Sequence, residues 1–320
     1  MADNVTESSF QHHFHARRGH LANRHVRDLA WLLDSPDLLD RGSPLWGGRI
    51  GSLFSHQGAE IDDWLRRLDA HCADLDLLIA SHGFNRLGRY SELLMAFFLR
   101  HLGILEAHGL QVRSTGPGGE TVGEFDFLLR APDSRLLHWE FATKFYLLEP
   151  DAARRPDALV GPNLADTLGA KMRKILERQL NLSRHESARA VLPEMPALAQ
   201  ALIKGWLFYP ESDDAQSIVP GVNPEHCKGF WMPLSDFARR THDCFLLLPR
   251  LNWLAPARCT QTDCLDKDTA SKVLKQHFVS DDQPLMLAFM ERDGETAFEV
   301  GRGFIVRDDW AGRARQFVHQ

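Results

Sequence analysis

The clearest secondary-structure signal lies in residues 122–147, which read VGEFDFLLRAPDSRLLHWEFATKFYL. Apolar side chains alternate here with a period of two, which is typical of β-strands. The alternation is interrupted by the turn-forming residues Ala131–Ser134. We therefore predict two strands, Val122–Leu129 and Leu136–Leu147, joined as a β-hairpin.

Each predicted strand has one apolar face and one face that carries charged side chains. On the first strand, Glu124 and Asp126 point away from the face that holds the phenylalanines. On the second strand, Glu140 and Lys144 share the face opposite Phe141. Charged groups built into strands this apolar are costly unless they line a cleft. The hairpin is therefore predicted to carry a functional site.

The position of the turn decides which residues of the hairpin lie opposite each other. If the turn is centred on Asp133, paired residue numbers sum to 266 and Asp126 lies across from Glu140. Their Cβ atoms would then be about 4.5–5.5 Å apart. A register in which the numbers sum to 268 would place Asp126 across from Ala142 instead. The sequence leaves both registers open.

The charged residues of the hairpin suit hydrolysis of a phosphodiester bond. Two carboxylates that lie this close repel each other unless a cation lies between them. Oxygen ligands from Asp126, Glu140 and, on the preceding helix, Glu92 would suit Mg²⁺ or Mn²⁺. Lys144 would then hold the attacking water and offset charge in the transition state. The alternative is a structural ion pair between Lys144 and one of the strand acids.

Four regions follow from the patterning of the chain. Residues 1–20 are polar, rich in histidine and without an apolar period, and we predict a disordered arm. Residues 21–86 have helical spacing and are predicted to form a helical N-terminal region. Residues 87–192 place the hairpin between two helices as the core. Residues 193–320 mix strand-like runs with helices and are predicted to pack on the core, which gives a mixed α/β fold.

Composition limits the possible partners. The formal net charge of −6 argues against a uniformly basic nucleic-acid binder, so any basic surface must be local. Candidates for it, which are otherwise ordinary solvated helix faces, are Arg86, Arg89, Arg100, Lys171, Arg173, Lys174 and Arg178. No apolar run approaches the roughly 20 residues of a membrane span, and no secretory signal is evident. We expect a cytoplasmic protein without membrane association.

The five cysteines are an odd number spread along the chain, which favours reduced thiols over a disulfide framework. Several lie near histidines in the C-terminal half, but their spacing lacks the paired Cys-x-x-Cys pattern of zinc sites. We therefore interpret these residues as buried thiols and ordinary histidines. They are His226, Cys227, His242, Cys244, Cys259 and Cys264.

The order of the predicted elements resembles the PD-(D/E)XK nuclease superfamily. Its parts here are a helix with Glu92, a strand with residues 123–126, a strand with residues 138–147 and a following helix. The resemblance implies a nuclease-like core, in which a mixed sheet is flanked by helices. It also implies that the last helix presents Gln179 or Lys171 to the site. The alternatives are a satisfied core amide and a surface charge.

The same run, with Gly161–Asn163 and Leu180–Ser183, is similar to the bacterial domain-of-unknown-function family 1853. The similarity covers most of the chain, including Arg27–Leu33 near its start. That family is functionally uncharacterised, so the similarity implies a fold more than an activity.

One position departs from the superfamily pattern. The pattern has an acid two residues before the lysine, where this chain has Ala142. Glu140 stands four residues before Lys144, and it would have to serve from one pleat farther along the same face. This departure and the negative net charge favour a second possibility, in which the chain no longer cleaves nucleic acid.

The leading hypothesis is a divalent-metal-dependent nuclease that acts on DNA or RNA. The alternative is a non-catalytic nuclease-like module that binds nucleic acid or a protein partner. The residues expected to act are Glu92, Asp126, Glu140 and Lys144, with Glu124, Gln179 and Lys171 as secondary candidates.

Overall fold

Ten strands form one mixed sheet in the computed structural model, which describes residues 9–53, 58–114, 118–211 and 219–319. The strands are β1 (Leu105–Arg113), β2 (Thr121–Arg130), β3 (Leu136–Leu148), β4 (Leu159–Val160), β5 (Leu198–Pro210), β6 (Cys227–Pro233), β7 (Phe245–Leu248), β8 (Arg258–Thr260), β9 (Leu285–Asp293) and β10 (Thr296–Val306). Their order is β1-β2-β3-β5-β6-β10-β9-β7, with β4 beside β3 and β8 beside β10.

Helices cover the sheet, which confirms the mixed α/β class. The helices are α1 (Phe10–Arg18), α2 (Arg24–Asp34), α3 (Ala59–Ala70), α4 (Ala73–Ala80), α5 (Leu87–His101), α6 (Leu168–Glu177), α7 (Leu234–Phe237), α8 (Lys267–Ser280) and α9 (Trp310–Val318). Among the residues that the structure describes, no helix has both the length and the apolar character needed to cross a bilayer.

The predicted hairpin is formed by β2 and β3, and its register is the one centred on Asp133. Paired residues run from Arg130 and Leu136 at the turn to Phe127 and Trp139, and in each pair the numbers sum to 266. The ladder ends there, because the strands separate at the next pair.

Where the two strands separate, a side chain replaces the missing backbone partner. The backbone N–H of Phe141 donates to the carboxylate of Asp126 at 2.9 Å. Asp126 therefore lies in the gap between β2 and β3. A carboxylate that satisfies a backbone amide in this way is held in place by the fold.

The second half of the hairpin runs through the middle of the sheet. β3 is antiparallel to β2 and parallel to β5, with pairs from Leu137–Leu198 to Leu147–Phe208. The chain crosses from β3 to β5 through α6, as parallel neighbours require. The 87–192 and 193–320 regions therefore share one sheet, because β5 of the second region pairs along β3 of the first.

The faces of β3 are buried by different helices. Phe141 and Phe145 belong to the core cluster that contains Leu94 of α5. Tyr146 belongs to the cluster that contains Met172 of α6. A strand covered on both sides explains why its sequence is so apolar, and why each charged residue on it needs a specific reason to be there.

The N-terminal arm was predicted wrongly for part of its length. Residues 1–8 lie outside the described residues, but Phe10–Arg18 form a helix capped by the side chain of Ser9. Arg18 is almost fully buried and donates to Asp34 and Asp62, each at 2.6 Å. Order here comes from buried ion pairs with distant helices, which an apolar period cannot reveal.

Two further elements differ from the sequence prediction. β1 was not predicted, because this edge strand is only partly buried and lacks a regular alternation. The helix that follows the hairpin is shorter than the helical spacing of residues 164–182 predicts. It begins after Thr167, whose side chain accepts from the Ala170 N–H, and a 3₁₀ helix over Gln179–Arg184 follows it. Gln179 is thus on the 3₁₀ helix.

Candidate active site

A cleft of about 1160 Å³ opens where β2 and β3 separate. Its walls are the start of α5, the open ends of the hairpin strands, α6, and two C-terminal segments around residues 247–253 and 283–286. The C-terminal region therefore supplies one wall of the cleft. Of the predicted site residues, those that line the cleft are Glu92, Glu124, Asp126, Lys144, Lys171 and Gln179.

Three carboxylates gather on one side of the cleft. Each of Glu92 on α5 and Glu124 and Asp126 on β2 offers an oxygen within 4.8 Å of the other two. Within the described ranges, no other group of three acidic, histidine or cysteine side chains is this compact. Glu92 comes from a helix and the other two from a strand, so the group exists only because α5, which packs against β1 and β3, brings Glu92 beside β2.

Burial strongly changes the acidity of Asp126, one of these three carboxylates. It raises the pKa of Asp126 to about 8, and the nearby charges of Glu140 and Glu92 add to the rise. The hydrogen bond from the Phe141 N–H acts in the opposite direction but does not compensate. Near neutral pH, Asp126 therefore holds a proton unless a cation takes its place.

Two cationic or titratable side chains already contact the group. Arg89 donates to Glu124 at 2.7 Å and to Glu92 at 3.0 Å. Nε2 of His108 lies 3.0 Å from Oε1 of Glu92. The contact with Arg89 lowers the pKa of Glu124. Sequence analysis missed both residues as parts of the site, although the spacing of three between Arg89 and Glu92 on a helix is a recognisable pairing signal.

Glu140 is not a member of the compact carboxylate group and does not line the cleft, although its carboxyl group interacts with that of Asp126. It is fully buried, it lies 2.9 Å from Nε2 of His138, and it accepts a hydrogen bond from Gln179. Burial raises the pKa of Glu140 to about 8 and lowers the pKa of His138 to about 4. The structure thus brings the predicted ligands Glu92 and Asp126 together with Glu124, and it places Glu140 deeper.

Positive charge lies on the other side of the cleft. Lys144 is mostly buried, and burial together with the neighbouring Lys171 lowers its pKa to about 8. Burial and Lys174 lower the pKa of Lys171. Within the described part of the chain, neither Lys144 nor Lys171 forms an ion pair or a side-chain hydrogen bond. The alternative of an ion pair between Lys144 and a strand acid is therefore not observed among these residues.

The proposed basic residues divide between cleft and surface. Arg86, Arg89, Lys171, Lys174 and Arg178 line the cleft, whereas Arg100 and Arg173 do not. Arg173 pairs with Asp157 at 2.8 Å outside it.

The C-terminal wall adds further side chains that sequence analysis did not assign to the site. Arg250 and His277 both line the cleft. Trp253 also lines it, with its ring packed against Phe145. No local signal marks these residues, since they reach the cleft only through the packing of distant segments.

No curated protein and no solved structure matches this chain. The family described as "Domain of unknown function (DUF1853)" matches residues 27–306, which include every residue of the cleft. This chain therefore belongs to the DUF1853 family.

Proposed function

We propose that this protein is a divalent-metal-dependent nuclease of the PD-(D/E)XK type that hydrolyses phosphodiester bonds in DNA or RNA. The observation that carries the proposal is the division of charge across one cleft. A compact group of three carboxylates faces Lys144 and Lys171, which have no ion-pair partner among the described residues. A metal ion and a phosphate together would satisfy both sides.

The carboxylate group fits a hard divalent cation. Glu92, Glu124 and Asp126 offer only oxygen ligands, which Mg²⁺ and Mn²⁺ prefer. When bound, such an ion would polarise a phosphate and ease formation of hydroxide. Binding has a local cost, because Arg89 must give up its contacts with two of these carboxylates. Its side chain is about half exposed, so it can swing into solvent.

The cationic side of the cleft fits a polyanion. Lys171 lies close enough to Lys144 to lower its pKa, and Lys174 and Arg250 add to the local positive charge. Asp166 also lines the cleft and attracts both lysines, but burial and the neighbouring cations still lower their pKa, so a further anion would be favourable there. Phosphate groups of a nucleic-acid backbone would supply that anion.

Lys144 is suited to act at the reacting phosphate. Its pKa of about 8 means that part of the population is neutral near physiological pH. An amine in that range can hold the attacking water, and its charged form can offset negative charge that develops on phosphate oxygens. Lys171 would bind a neighbouring phosphate oxygen, since it lines the same wall.

Two features of the hairpin support the assignment to this superfamily. The order helix, strand, strand, helix is kept by α5, β2, β3 and α6. The register places Asp126 at the point where the strands separate, next to Lys144's face of β3. With Ala142 in the usual acid position, Glu124 takes part in the carboxylate group instead.

The non-catalytic module remains the second candidate, and one observation favours it. Arg89 binds two of the three carboxylates, so the negative charge of the site is already partly neutralised without a metal ion. A module of this kind would use the cationic wall to bind nucleic acid and would not cleave it.

The decisive experiment incubates the purified full chain with single-stranded, duplex and branched DNA and RNA in Mg²⁺ and in Mn²⁺. Asp126→Asn and Lys144→Ala test the site. Asp133→Asn is the matched control, because that carboxylate is exposed at the hairpin turn. We expect cleavage by the wild type and the control alone. Cleavage that persists in both site variants would reject the site, and binding without cleavage would establish the module.

A further inference from the structure

Three of the five cysteines converge at one place behind the C-terminal wall of the cleft. Cys259 lies on β8 opposite Ala297 of β10. Its Sγ is 3.7 Å from the Sγ of Cys264, which lies just before α8. Cys264 also interacts with Cys244, which immediately precedes β7. The three thiols come from three separate segments, which is why their sequence spacing gave no sign of a cluster.

Backbone pairing explains how two of these thiols meet. Phe245 and Leu265 form an isolated antiparallel bridge, with N–H···O distances of 2.9 and 2.7 Å. The residues before each of them, Cys244 and Cys264, are therefore diagonal neighbours on one face of the bridge. Such neighbours are within side-chain reach of each other. The fold thus holds the cluster through main-chain contacts as well as through the thiols.

The separation of the sulfur atoms is compatible with metal ligation. Two thiolates bound to one tetrahedral zinc at about 2.3 Å lie about 3.8 Å from each other. A disulfide requires about 2.05 Å, which is far shorter than the 3.7 Å between Cys259 and Cys264. The observed separation also equals ordinary contact between sulfur atoms, so it permits ligation but does not require it.

The surroundings of the cluster leave the sulfurs available as ligands. The only other hydrogen bond of a cluster sulfur in the described residues is a weak one, from Cys264 Sγ to the Thr260 carbonyl at 3.9 Å. Nε2 of His242 lies 2.9 and 3.0 Å from the carbonyls of Cys244 and Met290, so this nitrogen is not available as a further ligand. Cys259 and Cys264 are partly exposed, which gives an ion a route of entry.

We propose that Cys244, Cys259 and Cys264 form a three-thiolate site for a soft metal ion such as Zn²⁺, with water in the remaining position. Sulfur ligands select soft ions, whereas the oxygen ligands of the cleft select Mg²⁺ or Mn²⁺. The site is thus chemically distinct from the proposed active site and does not depend on it. Cys264 lies between its two partners, so closing all three on one ion requires a change of side-chain rotamer.

A metal ion bound by the three thiolates would stabilise the position of the C-terminal wall of the cleft. Residues 247–250, at the end of β7 and just after it, line the cleft. His277 of α8 lines it too. The thiols tie the start of β7 to β8 and to the segment before α8. Binding to the folded state alone stabilises it. The expected role is therefore structural support of the wall.

The test uses the reduced full chain, titrated with Cd²⁺ as a spectroscopic probe and with Zn²⁺ against a chromophoric chelator. We expect one Cd²⁺ per chain with a thiolate charge-transfer band, and a higher melting temperature with stoichiometric Zn²⁺. Cys264→Ser should lose both effects. Cys72→Ser, which alters the thiol at the N-cap of α4, should keep them.

A measurement on the wild type guards against a variant that fails to fold. Zn²⁺ should protect Cys244, Cys259 and Cys264 from alkylation, as read by mass spectrometry, and leave Cys72 reactive. The proposal is overturned if the folded protein shows no thiolate band, if Cys264→Ser binds the ion as tightly as the wild type, or if the three thiols stay reactive with Zn²⁺ present. A metal that binds only to the carboxylates would give no thiolate band.

Discussion

Nη1 of Arg89 donates to Oε1 of Glu124 at 2.7 Å across the mouth of the cleft, and the same nitrogen reaches Glu92. This guanidinium occupies the carboxylate oxygens that a divalent ion would use. Arg89 therefore competes with a metal ion for these oxygens, and its side chain must leave them before an ion can bind.

Replacing Arg89 should strengthen metal binding. Two partly exposed ion pairs contribute about 0.5 kcal/mol each, so we expect Arg89→Ala to bind Mn²⁺ roughly fivefold more tightly. Calorimetric titration measures the difference. Arg100→Ala is the matched control, because Arg100 is exposed on the same helix and does not line the cleft. Equal affinities in the wild type and Arg89→Ala would show that the carboxylates are not the metal site.

The raised pKa of Asp126 predicts that the metal-free protein loses stability as pH rises from 5 to 8. The folded carboxyl keeps its proton up to about pH 8, whereas the unfolded one ionises near pH 4, so the folded state binds more protons in this window. One such group contributes at most about 4 kcal/mol over three pH units. Glu140 acts in the same direction.

Asp126→Asn should flatten this pH dependence, because the amide does not ionise. Urea unfolding at pH 5 and pH 8, in the presence of a chelator, measures it. The control Asp133→Asn should keep the wild-type difference, since the pKa of Asp133 is lowered by Arg135 and its charge does not change in this range. A wild type as stable at pH 8 as at pH 5 would contradict the burial argument.

We expect Lys144 to lower the free energy of unfolding, although it contributes to nucleic-acid binding. Burial lowers its pKa to about 8, so the charged form is disfavoured in the folded state below that pH. The folded state then binds fewer protons than the unfolded one between about pH 8 and 10.5, and this cost lessens as pH rises through that window. Lys144→Met should stabilise the fold by about 1–2 kcal/mol at pH 7.

Lys144→Met should also weaken binding of an oligonucleotide. Thermal unfolding and fluorescence anisotropy measure the two effects together. Lys174→Met serves as control for stability, because Lys174 lines the cleft but is exposed. If Lys144→Met lowers the melting temperature, the ammonium group has a stabilising partner and the proposed role is wrong.

Two basic residues of α6 should differ in their effect on nucleic-acid binding. Lys171 lines the cleft, whereas Arg173 is held by Asp157 outside it. We expect Lys171→Ala to reduce the salt dependence of binding by about one phosphate contact. Arg173→Ala should leave it unchanged. Anisotropy titrations over a range of salt concentrations test this pair, and equal slopes in both variants would place the nucleic acid elsewhere.

Sequence alone predicted the parts of the fold that depend on local pattern. The hairpin and its turn follow from a period of two and one turn position, whereas the structure chose between the two open registers by pairing Phe127 with Trp139. The helix with Glu92 ends near Gly103, which adopts a left-handed conformation at φ 69°, as a C-terminal cap requires. These features depend on neighbours within a few residues, so the sequence expresses them directly.

The membership of the site was decided by tertiary structure. An unbroken hairpin register would pair Asp126 with Glu140, yet the compact carboxylate group contains Glu124 instead of Glu140. The reason is that the strands separate at Asp126, whose carboxylate takes the Phe141 N–H, so alternation along an ideal strand no longer describes where these side chains point.

Sequence thus determined which elements form and which chemical groups they carry. Tertiary packing determined that Arg89 also binds Glu124, that Arg250 and Trp253 line the cleft, and that Cys264 meets Cys244. Each of these contacts joins segments far apart in the chain or depends on the direction of a side chain at an irregular point. Periodicity and spacing do not predict such contacts, because each describes one regular element at a time.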